Sequence, residues 1–244
     1  MKKILILLLL IGGTLFAGET NPFDKVSEKE KEEIKNTTEE ERIYEIHEIM
    51  ILSFNYGFSN MAKMTGSNLI IDEANFAENL ASGSIFGIEL HRYKKSNLGF
   101  GLIFNYYSSK ASIEVMDENG QIATLTDKVK IPALSLAVGF KRANVAKRIM
   151  YGADVRVGGA IYQEELSVFN GKVNYNCPTG IFGANLFIEY LMNKNTGIGF
   201  SCTYTSGSIS ELYIEGGGNF ELEEPLSLNR IDILLSLKFH FDKE

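Results

Sequence analysis

The chain has no tryptophan, three histidines, four prolines and two cysteines in 244 residues, and 24 Lys and Arg against 31 Asp and Glu. Each scarcity excludes something. An acidic balance argues against a nucleic-acid binder, which needs a basic face for phosphates. The apolar run Ile4–Ile11 is too short to cross a bilayer as a helix, which takes about 20 residues. Cys177 falls in an expected loop and Cys202 on the apolar face of an expected strand. Their separation far exceeds the roughly 6 Å Cα spacing of a disulfide, so both are read as free. No His-x-Ser pair occurs, and acyl transfer needs a nucleophile and a base within hydrogen-bond reach.

What is present is alternation with a period of two. Near the end of the chain, Ile231, Ile233, Leu235, Leu237, Phe239 and Phe241 alternate with Asp232, Leu234, Ser236, Lys238 and His240. Such a stretch is a strand with one apolar and one largely polar face. Its length matches the roughly 9–11 residues a tilted strand needs to cross a membrane. Seven earlier segments repeat the pattern. In the first, Met50, Leu52, Phe54, Tyr56 and Phe58 oppose Ile51, Ser53, Asn55 and Gly57. The others centre on Phe86–Leu90, Leu98–Tyr106, Leu134–Phe140, Tyr151–Ile161, Phe182–Tyr190 and Ile198–Tyr204.

Two regularities turn eight strands into a closed barrel with lipid outside. Most strand glycines (57, 87, 99, 101, 139, 152, 158, 183, 197 and 199) share the polar parity, where they make room for an Arg, Glu or Lys from across a lumen only wide enough for side chains. The connections also alternate: Lys94–Asn97, Lys141–Ile149 and Asn193–Asn195 are short, whereas Met61–Gly83, Ser109–Lys128, Glu164–Thr179 and Ser206–Leu228 are long. Short periplasmic turns and long outer loops are the habit of bacterial barrels. The expected fold is all-β: an eight-stranded antiparallel up-and-down transmembrane β-barrel over residues 46–241, with a short N-terminal helical or disordered arm.

In this pattern, and in the Leu237-x-Phe239-x-Phe241 ending, the chain resembles the small eight-stranded outer-membrane barrels, the OmpA transmembrane domain and OmpX-like proteins. The resemblance implies a structural or surface-interaction role and carries over no catalytic residue. Residues 1–17 read as a signal peptide, with Lys2 and Lys3 before the apolar run and a cut after Ala17. Residues 18–45, crowded with Glu and Lys, read as an acidic periplasmic lead-in. An even strand count then puts both termini in the periplasm of an exported outer-membrane protein.

Inward parity collects Asn55, Glu89, Asn105, Asp154, Arg156, Asn185, Glu189, Asp232 and Lys238 into one lumen. Unpaired buried charge is costly, so mixed-sign pairs with hydrogen-bonded neighbours are expected there, plugging the barrel. His47, His91 and His240 share that parity at the periplasmic ends of strands one, two and eight, which adjoin in a closed ring. Imidazoles are common metal ligands, but polar filling accounts for all three, and neither metal nor cofactor is expected. Two hairpins should project beyond the membrane. One turns at Glu118-Asn119-Gly120, placing Val115 opposite Ala123 and Ile113 opposite Leu125. The other turns at Gly216-Gly217-Gly218 and is acidic.

The function expected is a non-enzymatic barrel with a plugged lumen, acting in membrane structure or in adhesion through its extracellular hairpins. The alternatives are a lipid-modifying enzyme or a narrow ion-conducting pore. The expected partners are outer-membrane lipid or lipopolysaccharide, the barrel-assembly machinery and a host or cell-surface protein at the loops, with no nucleic acid and a monomeric state.

Overall fold

The computed structural model describes residues 49–61, 71–94, 97–116, 120, 122–144, 148–168, 171–214 and 216–242. The signal segment 1–17, the lead-in 18–45, His47 and the tip residue Asn119 lie outside the described residues. The elements in order are β1 (Ile49–Met61), α1 (Ile71–Ala81), β2 (Ser82–Tyr93), β3 (Leu98–Met116), β4 (Ile122–Asn144), β5 (Ile149–Val168), β6 (Gly171–Asn193), β7 (Thr196–Ile214), β8 (Asn219–Ser227) and β9 (Arg230–Asp242).

Alternation makes strands, and pairing of consecutive strands makes the wall. β1 to β7 pair in chain order and antiparallel, and β9 closes the ring by pairing with both β7 and β1. β8 pairs with the top of β7 at Ser208↔Ser227, the same register as Thr205↔Arg230 below it. β8 and β9 are therefore one strand interrupted at Leu228–Asn229, and the ring has eight strands. Stepping across the ladders from Ile49 through Tyr93, Gly99, Gly139, Asp154, Asn185, Thr203 and Asp232 returns to Ser59, a stagger of ten residues. With ~3.4 Å per residue and ~4.8 Å between strands, that stagger tilts the strands by about 40°.

The outward face is an uncharged band. It carries Met50 to Phe58 on β1, Leu98 to Tyr106 on β3, Leu134 to Phe140 on β4 and Ile231 to Phe241 on β9, at every second position. At the tilt above, Leu98 to Tyr106 rises about 20 Å, which with side chains fits the roughly 25 Å band of a membrane barrel. Arg92 and Arg142 border it at one rim; Asn60, Ser84, Ser108, Lys130, Gln163 and Asn176 border it at the other. Exposed aromatic and aliphatic groups on β1 to β7 and β9, such as Phe58 at 74% and Val157 at 63%, make the continuous apolar surface that a membrane barrel turns to lipid.

Above the band the wall continues, and here the sequence expectations need three corrections. The connection 61–83 was expected to be a loop, but α1 occupies Ile71–Ala81. Phe76 and Leu80, four residues apart on one helix face, pack on the barrel, and the Tyr107 hydroxyl donates to the carbonyls of Leu80 (3.1 Å) and Ala81 (3.3 Å). A pair of apolar residues is too weak a periodic signal to announce so short a helix. The connection 164–179 was also expected to be a loop. It is a third hairpin, with β5 and β6 paired as far as Val168↔Gly171. Adjacent Glu164-Glu165 breaks the alternation that would have revealed it. Cys177 consequently lies in β6, with its side chain buried in the lumen, rather than in a loop.

The expected register of the β3–β4 hairpin, the glycine turns and the free cysteines hold. Ile113 pairs with Leu125 and Val115 with Ala123. Gly120 and Gly216 take left-handed φ values of 79° at their turns, which glycine adopts without steric cost. Cys177 and Cys202 are free, and Cys202 faces outward.

Candidate functional site

The lumen has two layers of opposite character. Within the band, inward parity brings together four acids (Glu89, Asp154, Glu189 and Asp232) and four bases (Lys141, Arg156, Arg230 and Lys238), all buried. Arg156 is the hub of one cluster. Its Nε donates to Asp154 Oδ1 at 2.5 Å and its Nη1 to Glu89 Oε1 at 3.0 Å. Asn185 Nδ2 donates to Asp154 Oδ2 at 2.8 Å, and Thr203 Oγ1 to Asn185 Oδ1 at 3.0 Å, so the carboxylates are held on several sides. A second cluster sets Glu189 against Lys238 Nζ at 3.5 Å and against the ring of His240, with Lys238 also lying 4.3 Å over the Phe187 ring. A third pairs Arg230 Nε with Asp232 at 3.2 Å, while the Ser59 hydroxyl donates to the same carboxylate.

Every buried carboxylate in the band thus meets a cation, which is the arrangement that makes such burial tolerable. The glycines make it fit. A Cβ on Gly101 would enter the His91 ring, and one on Gly197 would meet the Glu189 carboxylate. The bulky group comes from an adjacent strand, not from across the lumen. A gap at this level, lined by Glu89, His91, Asp154 and Lys238 among others, is about 10 Å³, room for a single water.

Of the residues expected in this network, Glu89, Asp154, Arg156 and Asn185 meet in one cluster, Glu189 and Lys238 in another, and Asp232 in the third. Asn55 and Asn105 are buried on either side of Gly87, each with an amide oxygen that accepts no hydrogen bond. They stand apart from the ion pairs. His91 faces Glu89 at 3.8 Å and stacks on Tyr93, whereas His240 faces Glu189, so the two imidazoles serve different carboxylates. Among the described residues, no group of three His, Cys, Asp or Glu is placed to hold a metal. Three participants escaped the sequence reading. Arg230 precedes the alternating stretch; Lys141 was assigned to a turn but is buried 4.8 Å over the Tyr93 ring; and Ser59 lies just beyond the expected first strand.

Above the band the lumen turns apolar. Tyr107, Ala111, Val129, Ile131, Tyr162, Cys177, Ile209 and Leu228 form a core against Leu80 of α1. Two acids intrude on it, Asp127 and its neighbour Glu164, and the Glu164 carboxylate accepts from the Tyr162 hydroxyl at 2.8 Å. Burial, with Glu164 alongside, pushes the Asp127 carboxyl up to about 7. On the outer surface at the same height, hydrogen bonds from Lys172 and Lys128, each at 2.9 Å, hold Glu165 down at about 2.

No protein-family model matches the sequence, and no curated protein matches it. Solved structures do. The attachment invasion locus protein Ail of Yersinia pestis is 12% identical with a TM-score of 0.48, over 80% of this chain and 100% of that one. The outer membrane protein OprG of Pseudomonas aeruginosa is 12% identical with a TM-score of 0.48, over 81% and 98%. The outer membrane protease OmpT of Escherichia coli is 11% identical with a TM-score of 0.39, over 80% and 95%. The ring of eight strands, its stagger of ten and its uncharged outward band give this chain the architecture of the small outer-membrane β-barrels.

Proposed function

We propose that the chain is an exported, non-enzymatic outer-membrane barrel whose lumen stays closed and whose projecting strands recognise partners at the cell surface. The observation that carries this reading is the double filling of the lumen, ion-paired within the membrane band and apolar above it under α1. A closed interior leaves the outer strands as the place for recognition. His91 and His240 lie inside the lumen against carboxylates, away from any lipid-facing serine, which supports a role without acyl-transfer chemistry. Both ends of the described chain meet at one rim, where Ile49 pairs with Asp242, and the signal peptide and lead-in would place that rim in the periplasm.

The upper wall suggests how recognition works. Among the described residues, the wall above Ser108 and Met61 is a sheet running from β3 to β8. Among the described residues β8 pairs only with β7, and no described strand pairs with its other edge. A free edge can take up a partner's backbone, and the acidic residues of β8 would favour basic partners and weaken with salt. The experiment trims the β3–β4 tip (112–126) and the β7–β8 tip (213–219) separately, leaving the apolar core in place. Heat-modifiable gel migration should persist in both variants, while cell adhesion or partner capture falls in at least one. Unchanged adhesion by both folded variants would refute recognition at the tips.

A further inference from the structure

The outer wall carries a groove of about 450 Å³, within the size range of small-ligand sites, directly above the apolar band. It spans four strands, with Lys128 and Lys130 on β4, Gln163 on β5, Asn174 and Asn176 on β6, and Tyr213 on β7. The strand ladders are irregular here for identifiable reasons. The β4–β5 ladder is interrupted between Lys130↔Gln163 and Ala133↔Ala160, where Pro132 has no N–H to give. The β6–β7 register slips by one residue between Asn176 and Ile181, a bulge that kinks the strand.

The charge of this surface is out of balance for a sheet face. Lys110 and Lys128 are directly opposite each other across β3 and β4, a placement that is destabilising between like charges. Lys130 and Lys172 add to them. Glu165 is taken up by Lys128 and Lys172 together, and Glu164, though it also lines the groove, accepts from Tyr162 of the lumen. Among the described residues Lys130 makes no ion pair. Lysines here would relieve their mutual repulsion on a phosphate, and the amides of Gln163, Asn174 and Asn176 suit sugar hydroxyls.

Height decides the source. Lys130, Gln163 and Asn176 are each the next outward position above the apolar band, at Pro132, Ile161 and Pro178, so the groove opens sideways at the level of lipid headgroups rather than upward to solvent. We infer that this groove binds the phosphorylated sugar headgroup of an outer-leaflet glycolipid, with Lys128 and Lys130 on the phosphate. The inference rests on the outer-membrane placement proposed above and is independent of recognition at the hairpin tips.

The test uses the full chain refolded in detergent micelles, with heat-modifiable migration as the check on folding. It is titrated with a diphosphorylated, acylated glucosamine disaccharide and with the same lipid stripped of phosphate, read by native mass spectrometry. The folded protein should prefer the phosphorylated lipid by tenfold or more. Lys128→Gln with Lys130→Gln should abolish that preference, and Arg142→Gln at the opposite rim should keep it. Should the double variant misfold, Lys130→Gln alone, which breaks no ion pair, should cut the preference severalfold. No phosphate preference in the folded protein, or a preference that survives the substitutions, overturns the site. Equally tight binding of free glucosamine 6-phosphate would assign the groove to a soluble ligand and overturn the lipid. A failure of the membrane placement shows separately, as a chain that stays soluble without detergent and lacks heat-modifiable migration.

Discussion

Asp127→Asn should make the barrel more stable at pH 8 and change it little at pH 5. The Asp127 carboxyl is buried in the upper lumen beside Glu164, and its pKa rises from an ordinary value near 4 to about 7. An acid whose pKa is raised by folding binds more protons folded than unfolded between those two values. Stability therefore falls as pH climbs from about 4 to about 7 and is level beyond. Three units at about 1.4 kcal/mol each set a ceiling of about 4 kcal/mol, and solvent screening near the upper end of the barrel reduces this to about 2 kcal/mol. Asparagine keeps the shape, cannot ionise, and offers an N–H to the Glu164 carboxylate at every pH. The chain has no tryptophan, so urea unfolding in micelles is followed by the far-ultraviolet signal of the sheet, with gel migration alongside. The quantity that matters is the difference between the two proteins at pH 5 and pH 8. If that difference is the same at both, the raised carboxyl of Asp127 is not a determinant of stability and the reasoning fails.

Other perturbations follow from the lower lumen. Arg156→Met should cost about 3–5 kcal/mol, because it strands Glu89 and Asp154 without their cation, and it should show as a lowered urea midpoint. Gly57→Ala should weaken closure between β1 and β9 by about 1–3 kcal/mol, since the added methyl meets the Ile233 carbonyl oxygen, whereas Gly180→Ala faces open space and should be neutral in the same unfolding assay. Planar-bilayer recordings should give no large steady conductance, because buried ion pairs fill this layer; a stable open level would refute the closed lumen.

Most of the wall was legible in the sequence because strand parity is a local property. Whether residue 54 faces lipid and residue 55 the lumen depends only on a period of two and on the chemistry of neighbours two residues away. The β3–β4 register, down to Ile113↔Leu125, followed from one Asn-Gly turn and an odd loop length, again within a few residues. Which charges meet inside was not legible. Arg156 reaches Glu89 across 67 positions of sequence, and that encounter is set by the stagger of ten, a property of the closed ring that no single strand encodes. The same closure aligns β8 and β9 as one broken strand. It also brings Lys141 in from a turn and places Asp127 against Glu164. α1 and the β5–β6 hairpin depended on tertiary packing for the same reason: their own patterns are short or broken, and the apolar core beneath α1 supplies the burial that holds them. The sequence alone determined which face of each strand sees lipid, and the tertiary structure decided which inward groups become partners, because parity is local while the stagger that pairs them belongs to the whole ring.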